Sequence, residues 1–490
     1  MKFDYVIVGA GLTGCVVAEQ LSKFENKKIL IIEKRNHIAG NCYDFRNENN
    51  IIIHKYGPHI FHTNNKKVWK YLSQFTEWEK YQHRVQAHID GMLVPVPFNI
   101  NSIHKCFPMT VAREIELALI KKYRYGAKIS ILELRKEDNE LLRILADYVY
   151  DKVFLGYTVK QWDFRPEELD ESVTARIPVF VSRDDRYFQD KYQGIPKLGY
   201  TKMIKRMINK PNIQLLLNTD FGTVKNDLQY EKLIFTGMLD EYFNFEYGKL
   251  PYRSLRFEFE TVDLPPIANS KDLRKAADEL LNDIYNIRQV SSEVFNDSKS
   301  LREIYNTLIN ISSKLTDASS ESSGYTKVLI ERVDELLKIA SGLLNEAKML
   351  FDDSDELLKI SNEMLMKITD IRIKPSRYQP VAQVNYPNEY DYTRITEFIH
   401  FYFPYYYQNQ SAIAREYPIP FNHGANEIPY YPIPKKENNE LADKYKELAK
   451  ELENVHFVGR LADYKYYNMD QIIERALGAC RIINREQGQT

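Results

Sequence analysis

The chain has 490 residues, is 44% hydrophobic and 28% charged, and carries a formal net charge of -1. That balance suits a globular protein of about two to four domains and gives no reason to expect nucleic acid or an anionic membrane surface as a partner. No apolar run approaches the ~20 residues needed to span a bilayer, the N-terminus lacks signal-peptide shape, and a cytoplasmic location is expected.

In chain order, residues 3–8 form an apolar run fit for a buried parallel strand. The turn Gly9-Ala10-Gly11-Leu12-Thr13-Gly14 follows, then a helical pattern over 15–21 and a second strand over 28–32 that ends in Glu33. Strand, glycine turn, helix, strand and acid are together the context that makes a dinucleotide fingerprint meaningful. Gly9 allows the tight turn, Gly11 lets backbone approach a pyrophosphate, and Gly14 lets helix and strand pack closely. The helix N-terminus suits the pyrophosphate, and Glu33 suits a ribose hydroxyl, which favours NAD or FAD over NADP. The basic pair Lys34-Arg35 and the turn Gly40-Asn41 suit continued contact with an extended cofactor, which tilts the choice to FAD by analogy of fold. The cysteines Cys15, Cys42, Cys106 and Cys480 are scattered, fit reduced thiols, and show no metal spacing; no metal site is expected. Tyrosine is abundant, with 35 residues, many in the C-terminal third. That suits a site that stacks on and hydrogen-bonds polar ligands.

The composition changes at 266–376, which lacks His, Trp and Cys. Apolar residues there recur at helical spacing, as in Leu273, Ala276, Ala277, Leu280, Leu281 and Ile284. Asp278-Glu279-Leu280-Leu281 returns 56 residues later as Asp334-Glu335-Leu336-Leu337, as a duplicated helix pair would leave it. Ser300 with Glu303, and Asp353 with Glu356, resemble capping boxes. The expectation is an inserted helical bundle that packs on itself, with a docking surface for a protein partner as the alternative.

Several ordered stretches then resemble UDP-galactopyranose mutases. They include Glu33–Asn41, His54–Thr63, Gly156–Trp162, Lys191–Pro196, Tyr252–Glu258, Tyr392–Ile395, Pro429–Pro432 and Gly459–Met469. The resemblance covers about 1–265 and 377–486. It implies an isomerase that interconverts UDP-galactopyranose and UDP-galactofuranose through covalent attachment of the sugar to N5 of reduced FAD. It also implies a nucleotide-sugar substrate, an electron donor that keeps FAD reduced, and a homodimer. Such chemistry needs a cofactor nucleophile, fixed positive charge for a departing pyrophosphate, and aromatic surfaces for the base and flavin.

By the same resemblance, Arg176 and Arg394 are expected to hold the substrate pyrophosphate, with Tyr187, Tyr466 and either Tyr430 or Tyr431 hydrogen-bonding it. Tyr157 and Trp162 match a uridine-side aromatic and a tryptophan on a mobile loop. Asn385 is expected to touch uridine or sugar. His59 and His62 match histidines near the flavin, with His62 on the N5 side. Gly459 and Arg460 match the C-terminal cofactor turn, and Asn468 and Met469 lie beside the flavin.

Departures from the family pattern cluster near the substrate. Asn468 stands where an acid is usual, with Asp470 two residues on as a partial replacement. Ala39 replaces a usual glycine, and Phe180 a usual arginine. These differences raise a dTDP-fucopyranose or UDP-N-acetylgalactosamine mutase as alternatives. A flavin oxidoreductase, or a mutase serving as scaffold for the bundle, would be other classes. The expected fold is α/β: a FAD-binding Rossmann-like domain (about 1–80, 190–245 and 455–486), a helical domain (about 100–165) carrying the mobile Trp162 loop, an antiparallel sheet domain, and the inserted all-α bundle.

Overall fold

The first strand, Lys2–Val8, is apolar and its Tyr5, Val6 and Ile7 are fully buried, so both faces of its sheet must be covered. The computed structural model describes residues 2–24, 27–170, 178–264, 377–402, 410–424 and 427–486. The bundle expected over 266–376 and the candidate Arg176 lie outside the described residues. Nearly all described residues fall in one compact unit made of Met1–Val262, Tyr378–Tyr405 and Gln410–Thr490.

The core of that unit is a five-stranded parallel sheet in the order Ile213–Leu216, Ile29–Ile32, Lys2–Val8, Gln229–Phe235, Val455–Phe457. In sequence terms this is 3-2-1-4-5, the doubly wound order that places a crevice at the carboxyl ends of strands one and four. The helix Leu12–Leu21 is buried over nearly its whole length. It packs between the sheet and the helices Tyr200–Ile208 and Met469–Glu486.

A second sheet of seven strands runs Tyr431–Pro432, Tyr252–Asp263, Gln410–Pro420, Arg394–Glu397, Gln383–Asn385, Val85–Ile89, Met92–Val96. The sequence leads to an antiparallel sheet here. It is mixed, because Gln383–Asn385 runs parallel to Val85–Ile89 while pairing antiparallel with Arg394–Glu397. Register partners share a face. Asn385 pairs with Arg394, Arg394 with Glu416, and Gln383 with Thr396, so these polar side chains stand on one side. Val384, Ile395 and Arg415 take the other.

Helices Ile100–Cys106, Met109–Tyr123 and Glu140–Val149 build a separate apolar cluster around Ile115, Leu119, Leu145 and Val149. Glu140–Val149 continues through a π-helical stretch, Tyr150–Leu155, into Gly156–Trp162. Such widened turns recur at functional sites because they re-aim the helix that follows. Gly156 allows that helix to approach the segment before Arg394: an added Cβ would lie 2.5 Å from the Pro387 carbonyl. Lys160 Nζ ties the same contact by donating to the carbonyls of Tyr386 (2.9 Å) and Glu389 (2.7 Å). Among the described residues no helix is long and apolar enough to cross a membrane, and no side-chain group is suited to a metal ion.

Candidate active site

At the carboxyl ends of the parallel strands lies a cavity of about 570 Å³, within the range of small-molecule and cofactor sites. Its lining includes Gly9, Gly11, Glu33, Lys34, Asn41, Gly459, Arg460 and Met469 from the expected cofactor set, together with His59 and Tyr430. Gly14 stands behind the lining. A Cβ there would sit 2.0 Å from the Gly9 carbonyl, so it fixes the close approach of helix to strand. Gly9 has φ +103°, and a Cβ on it would meet Thr236 Oγ1 at 2.2 Å. The extended Gly11 opens the helix, and no side chain caps its first amides, so that helix end is available to an anion.

Glu33 is buried and oriented by backbone. Its Oε2 accepts from the Ala10 N–H (2.8 Å) and its Oε1 from the Arg35 N–H (2.9 Å). Each carboxylate oxygen keeps a further acceptor position. Ala39 adopts φ +76°, a left-handed conformation that costs a non-glycine residue ~1–2 kcal/mol. The next residue, Gly40, has φ +53°, and a Cβ on it would lie 2.8 Å from Gly11 Cα. The two loops therefore touch backbone to backbone under the helix end.

The basic pair resolves into two roles. Lys34 lines the cavity. Arg35, also in the lining, donates to Asn41 Oδ1 (3.0 Å) and lies over the Tyr56 ring (4.9 Å), while its buried Nη1 has no hydrogen-bond partner. An unpartnered buried guanidinium nitrogen lining the same cavity as an uncapped helix N-terminus fits a bound phosphate. Residue spacing alone did not single out Arg35 from Lys34.

Beside the cavity, the seven-stranded sheet presents Arg394. Its Nη2 lies 2.6 Å from Glu416 Oε2, and Glu416 is 1% exposed. Burial opposes the Arg394 charge, and Glu416, Tyr157 and Tyr431 more than offset it, so the guanidinium is held protonated. Its Nε is buried without a partner. Glu416 escaped notice in the sequence; the one sign of it was an acid at an inward position of the alternating strand Gln410–Pro420.

The tyrosines gather on Arg394. Burial raises the Tyr157 hydroxyl above its ordinary range, Arg394 opposes that shift, and Glu416, Tyr187 and Tyr431 add to it. The adjacent Tyr430 and Tyr431 separate by strand alternation. Tyr430 lines the cofactor cavity and meets Tyr56 edge-on at 6.4 Å. Tyr431 stacks on Tyr466 (5.1 Å, 13°) and feels both Arg394 and Arg460. Arg460 lies over the Tyr431 and Tyr466 rings at 5.4 and 5.3 Å, and its Nη2 donates to the Tyr467 carbonyl (2.8 Å).

Trp162, His62 and Asn468 lie outside the lining of the cavity. Trp162 does not lie in a loop. It closes the helix Gly156–Trp162, where left-handed Asp163 (φ 66°) caps the turn, and it packs with Tyr431, Tyr466, Leu169 and Ile433. His62 stands outside the cavity lining, its ring stacked on Phe188 at 3.6 Å and its Nδ1 2.7 Å from Asp190 Oδ2. Asn468 is also outside it, at the start of the last helix, where its N–H donates to Gln471 Oε1 (2.9 Å). Asp470 accepts from Thr63 Oγ1 (2.9 Å), so it pins that helix to the strand Phe61–Thr63.

His59 bridges the two regions. It lines the cofactor cavity, and burial, with the charges of Arg460 and Arg394, pushes its pKa down to about 4 against the opposing pull of the Gly57 carbonyl. Because a carbonyl only accepts, His59 Nδ1–H donates to Gly57 (2.8 Å) and Nε2 is left as an acceptor. Burial also lowers His54 and His83 to about 3, with His59 and Arg394 respectively adding to the shift. These three histidines fold neutral, whereas in the unfolded chain each titrates near ~6.5. Folded values below unfolded ones give stability that is full above ~6.5 and is lost as pH falls towards the folded values. From pH 7.5 to 5.5 they should together cost about 4 kcal/mol. Urea midpoints at the two pH values check this, and an unchanged midpoint would contradict it.

Comparison with known proteins gives the family. The family model described as UDP-galactopyranose mutase matches 152–275 and 350–466, and a NAD(P)-binding Rossmann-like model matches 7–75. A Klebsiella pneumoniae protein described as "Probable UDP-galactopyranose mutase" is 30% identical over 97% of this chain and 93% of its own. The chain belongs to the UDP-galactopyranose mutase family. This mutase-family enzyme is flavin-dependent, and its cofactor is FAD. An Escherichia coli dTDP-fucopyranose mutase is 27% identical over 97% of each chain. The solved structure of a reduced UDP-galactopyranose mutase covers 99% of this chain and 94% of its own at TM-score 0.56 and 15% identity, a likeness of fold.

Proposed function

We propose that the enzyme interconverts UDP-galactopyranose and UDP-galactofuranose. The observation that carries this is the pair of half-buried Arg394 and fully buried Glu416, with Tyr157 and Tyr431 beside it and Tyr187 next to Tyr157, adjoining the FAD cavity and linked to it by His59. When bound and reduced, the flavin would supply a nucleophile for the anomeric carbon as its bond to the UDP oxygen breaks.

The chain's own residues bind and hold. Arg394 supplies a permanent charge whose fork Glu416 keeps oriented, suited to a pyrophosphate that must leave and return. Tyr431 and Tyr466 add hydroxyl donors on the same side, and Tyr157 and Trp162 offer ring faces to the base. Lys34, Arg35 and Arg460, with the Gly11 helix end, hold the cofactor's phosphates, and Glu33 takes its ribose. His59 stays neutral and offers one acceptor nitrogen between the two ligands.

A second reading, a dTDP-fucopyranose mutase, is favoured by the Escherichia coli relative, which aligns along nearly its full length. Incubating the dithionite-reduced enzyme with each furanose nucleotide separates the two, since conversion of the dTDP-sugar alone would replace the first reading by the second. In the same assay Tyr431→Phe should lower kcat/KM about tenfold and leave FAD content unchanged. Tyr430→Phe should instead act on FAD content. Identical behaviour of the two variants would overturn the division of roles between them.

A further inference from the structure

On the sheet face that carries Arg394, a chain of buried polar groups runs to the site from behind. His83, Gln383 and Asn385 are 3%, 4% and 6% exposed. Gln383 and Asn385 are two apart on one strand and share its face, with Asn385 in register with Arg394. The Tyr81 hydroxyl is 3.0 Å from His83 Nδ1, the Gln383 side chain acts on the His83 ring by favouring its protonated form, and Gln383 Nε2 donates to Asn385 Oδ1 over 2.9 Å. Asn385 Nδ2 has no hydrogen-bond partner among the described residues.

The chain has a direction. A neutral imidazole has one donor and one acceptor nitrogen, and each amide has one donor end and one acceptor end. Gln383 favours the protonated imidazole, as an amide oxygen facing the His83 ring does. Gln383 Nε2 is then the donor to Asn385 Oδ1, and the Asn385 NH₂ is turned to the site. Reversing any link reverses the rest and would present Asn385 Oδ1 instead. An amide alone is free to choose either orientation, whereas here each link fixes the next. Burial and the neighbouring Arg394 keep His83 neutral, so the chain keeps its single donor and single acceptor at that point.

We propose that His83 and Gln383 are positioning residues that lock Asn385 as a hydrogen-bond donor toward the bound nucleotide sugar, so that the enzyme selects a ligand with an acceptor oxygen at that point. The inference rests on the nucleotide-sugar reading above. The acceptor is a base carbonyl or an oxygen of the sugar, and a site built to donate discriminates strongly against a ligand that lacks the acceptor.

A double-mutant cycle on the FAD-loaded enzyme tests it, with binding of UDP and of UDP-galactose followed by calorimetry. Gln383→Met and Asn385→Ala should each weaken binding about tenfold. The double variant should bind no more weakly than Asn385→Ala alone, because Gln383 acts through Asn385. KM should rise by more than kcat falls. His83→Phe should behave like Gln383→Met and be equally silent in the Asn385→Ala background, which gives a second route if one variant does not fold. Loss with UDP itself places the acceptor on the nucleotide, and loss with UDP-galactose alone places it on the sugar. Additive losses would overturn the proposal while leaving the mutase reading intact. A wild-type enzyme that bound neither ligand would remove the nucleotide-sugar reading and this inference with it.

Discussion

Replacing Arg394 by lysine should lower turnover by about 10²–10³-fold while FAD remains bound. Lysine keeps the charge and loses the planar fork. The native fork is divided: Nη2 is held by Glu416 at 2.6 Å, and the buried Nε has no partner. A lysine Nζ satisfying Glu416 would leave no second donor in fixed geometry for a phosphate oxygen. The loss should therefore fall on kcat as well as KM, since the bond matters most when charge builds on the departing pyrophosphate. Single-turnover rates of the reduced enzyme, with flavin absorbance as the control, check this. Turnover within about threefold of wild type would remove Arg394 from that role.

The glycine turn gives the second large effect, and two of its members should fail differently. Gly14→Ala places a Cβ 2.0 Å from the Gly9 carbonyl. Backbone must move, so the variant should lose both flavin and stability, the latter by roughly 1–3 kcal/mol. Gly11→Ala meets nothing closer than Gly40 Cα at 3.9 Å, yet it faces the cavity. It should fold normally and be purified without flavin. Flavin occupancy from the 450 nm region and melting temperature of the flavin-free proteins separate the two outcomes. A Gly11→Ala protein that retained full flavin would show that the pyrophosphate does not approach that backbone.

The parts of the fold that local chemistry determines could be read from the residues. The run at 3–8, the glycine turn, the second strand and Glu33 lie within about thirty residues, and their expected bounds differ little from Lys2–Val8, Leu12–Leu21 and Ile29–Ile32. The cavity at the strand ends is lined by Gly9, Gly11, Glu33, Lys34 and Asn41, which the dinucleotide fingerprint and the turn after it single out, and by Gly459, Arg460 and Met469, which the resemblance singles out.

What escaped depends on pairing between distant segments. Nothing near residue 85 announces that Val85–Ile89 will run parallel to Gln383–Asn385, and without that register His83 and Gln383 have no reason to meet. Glu416 is one acid among many until Arg394 is placed opposite it. The choice between Tyr430 and Tyr431 became legible only once Tyr431 was paired with Arg253, because a strand sends neighbours to opposite faces. Trp162, which the resemblance places on a loop, closes the helix Gly156–Trp162, and left-handed Asp163 supplies the cap that ends it.

The central claim is tested most directly by one anaerobic assay, with UDP-galactofuranose offered to the enzyme as isolated and after dithionite reduction, and products separated by chromatography. The account predicts conversion to UDP-galactopyranose only after reduction, with no flavin reoxidation during turnover. No conversion by the reduced, FAD-replete enzyme, or conversion that consumed the reduced flavin in proportion to product, would contradict it.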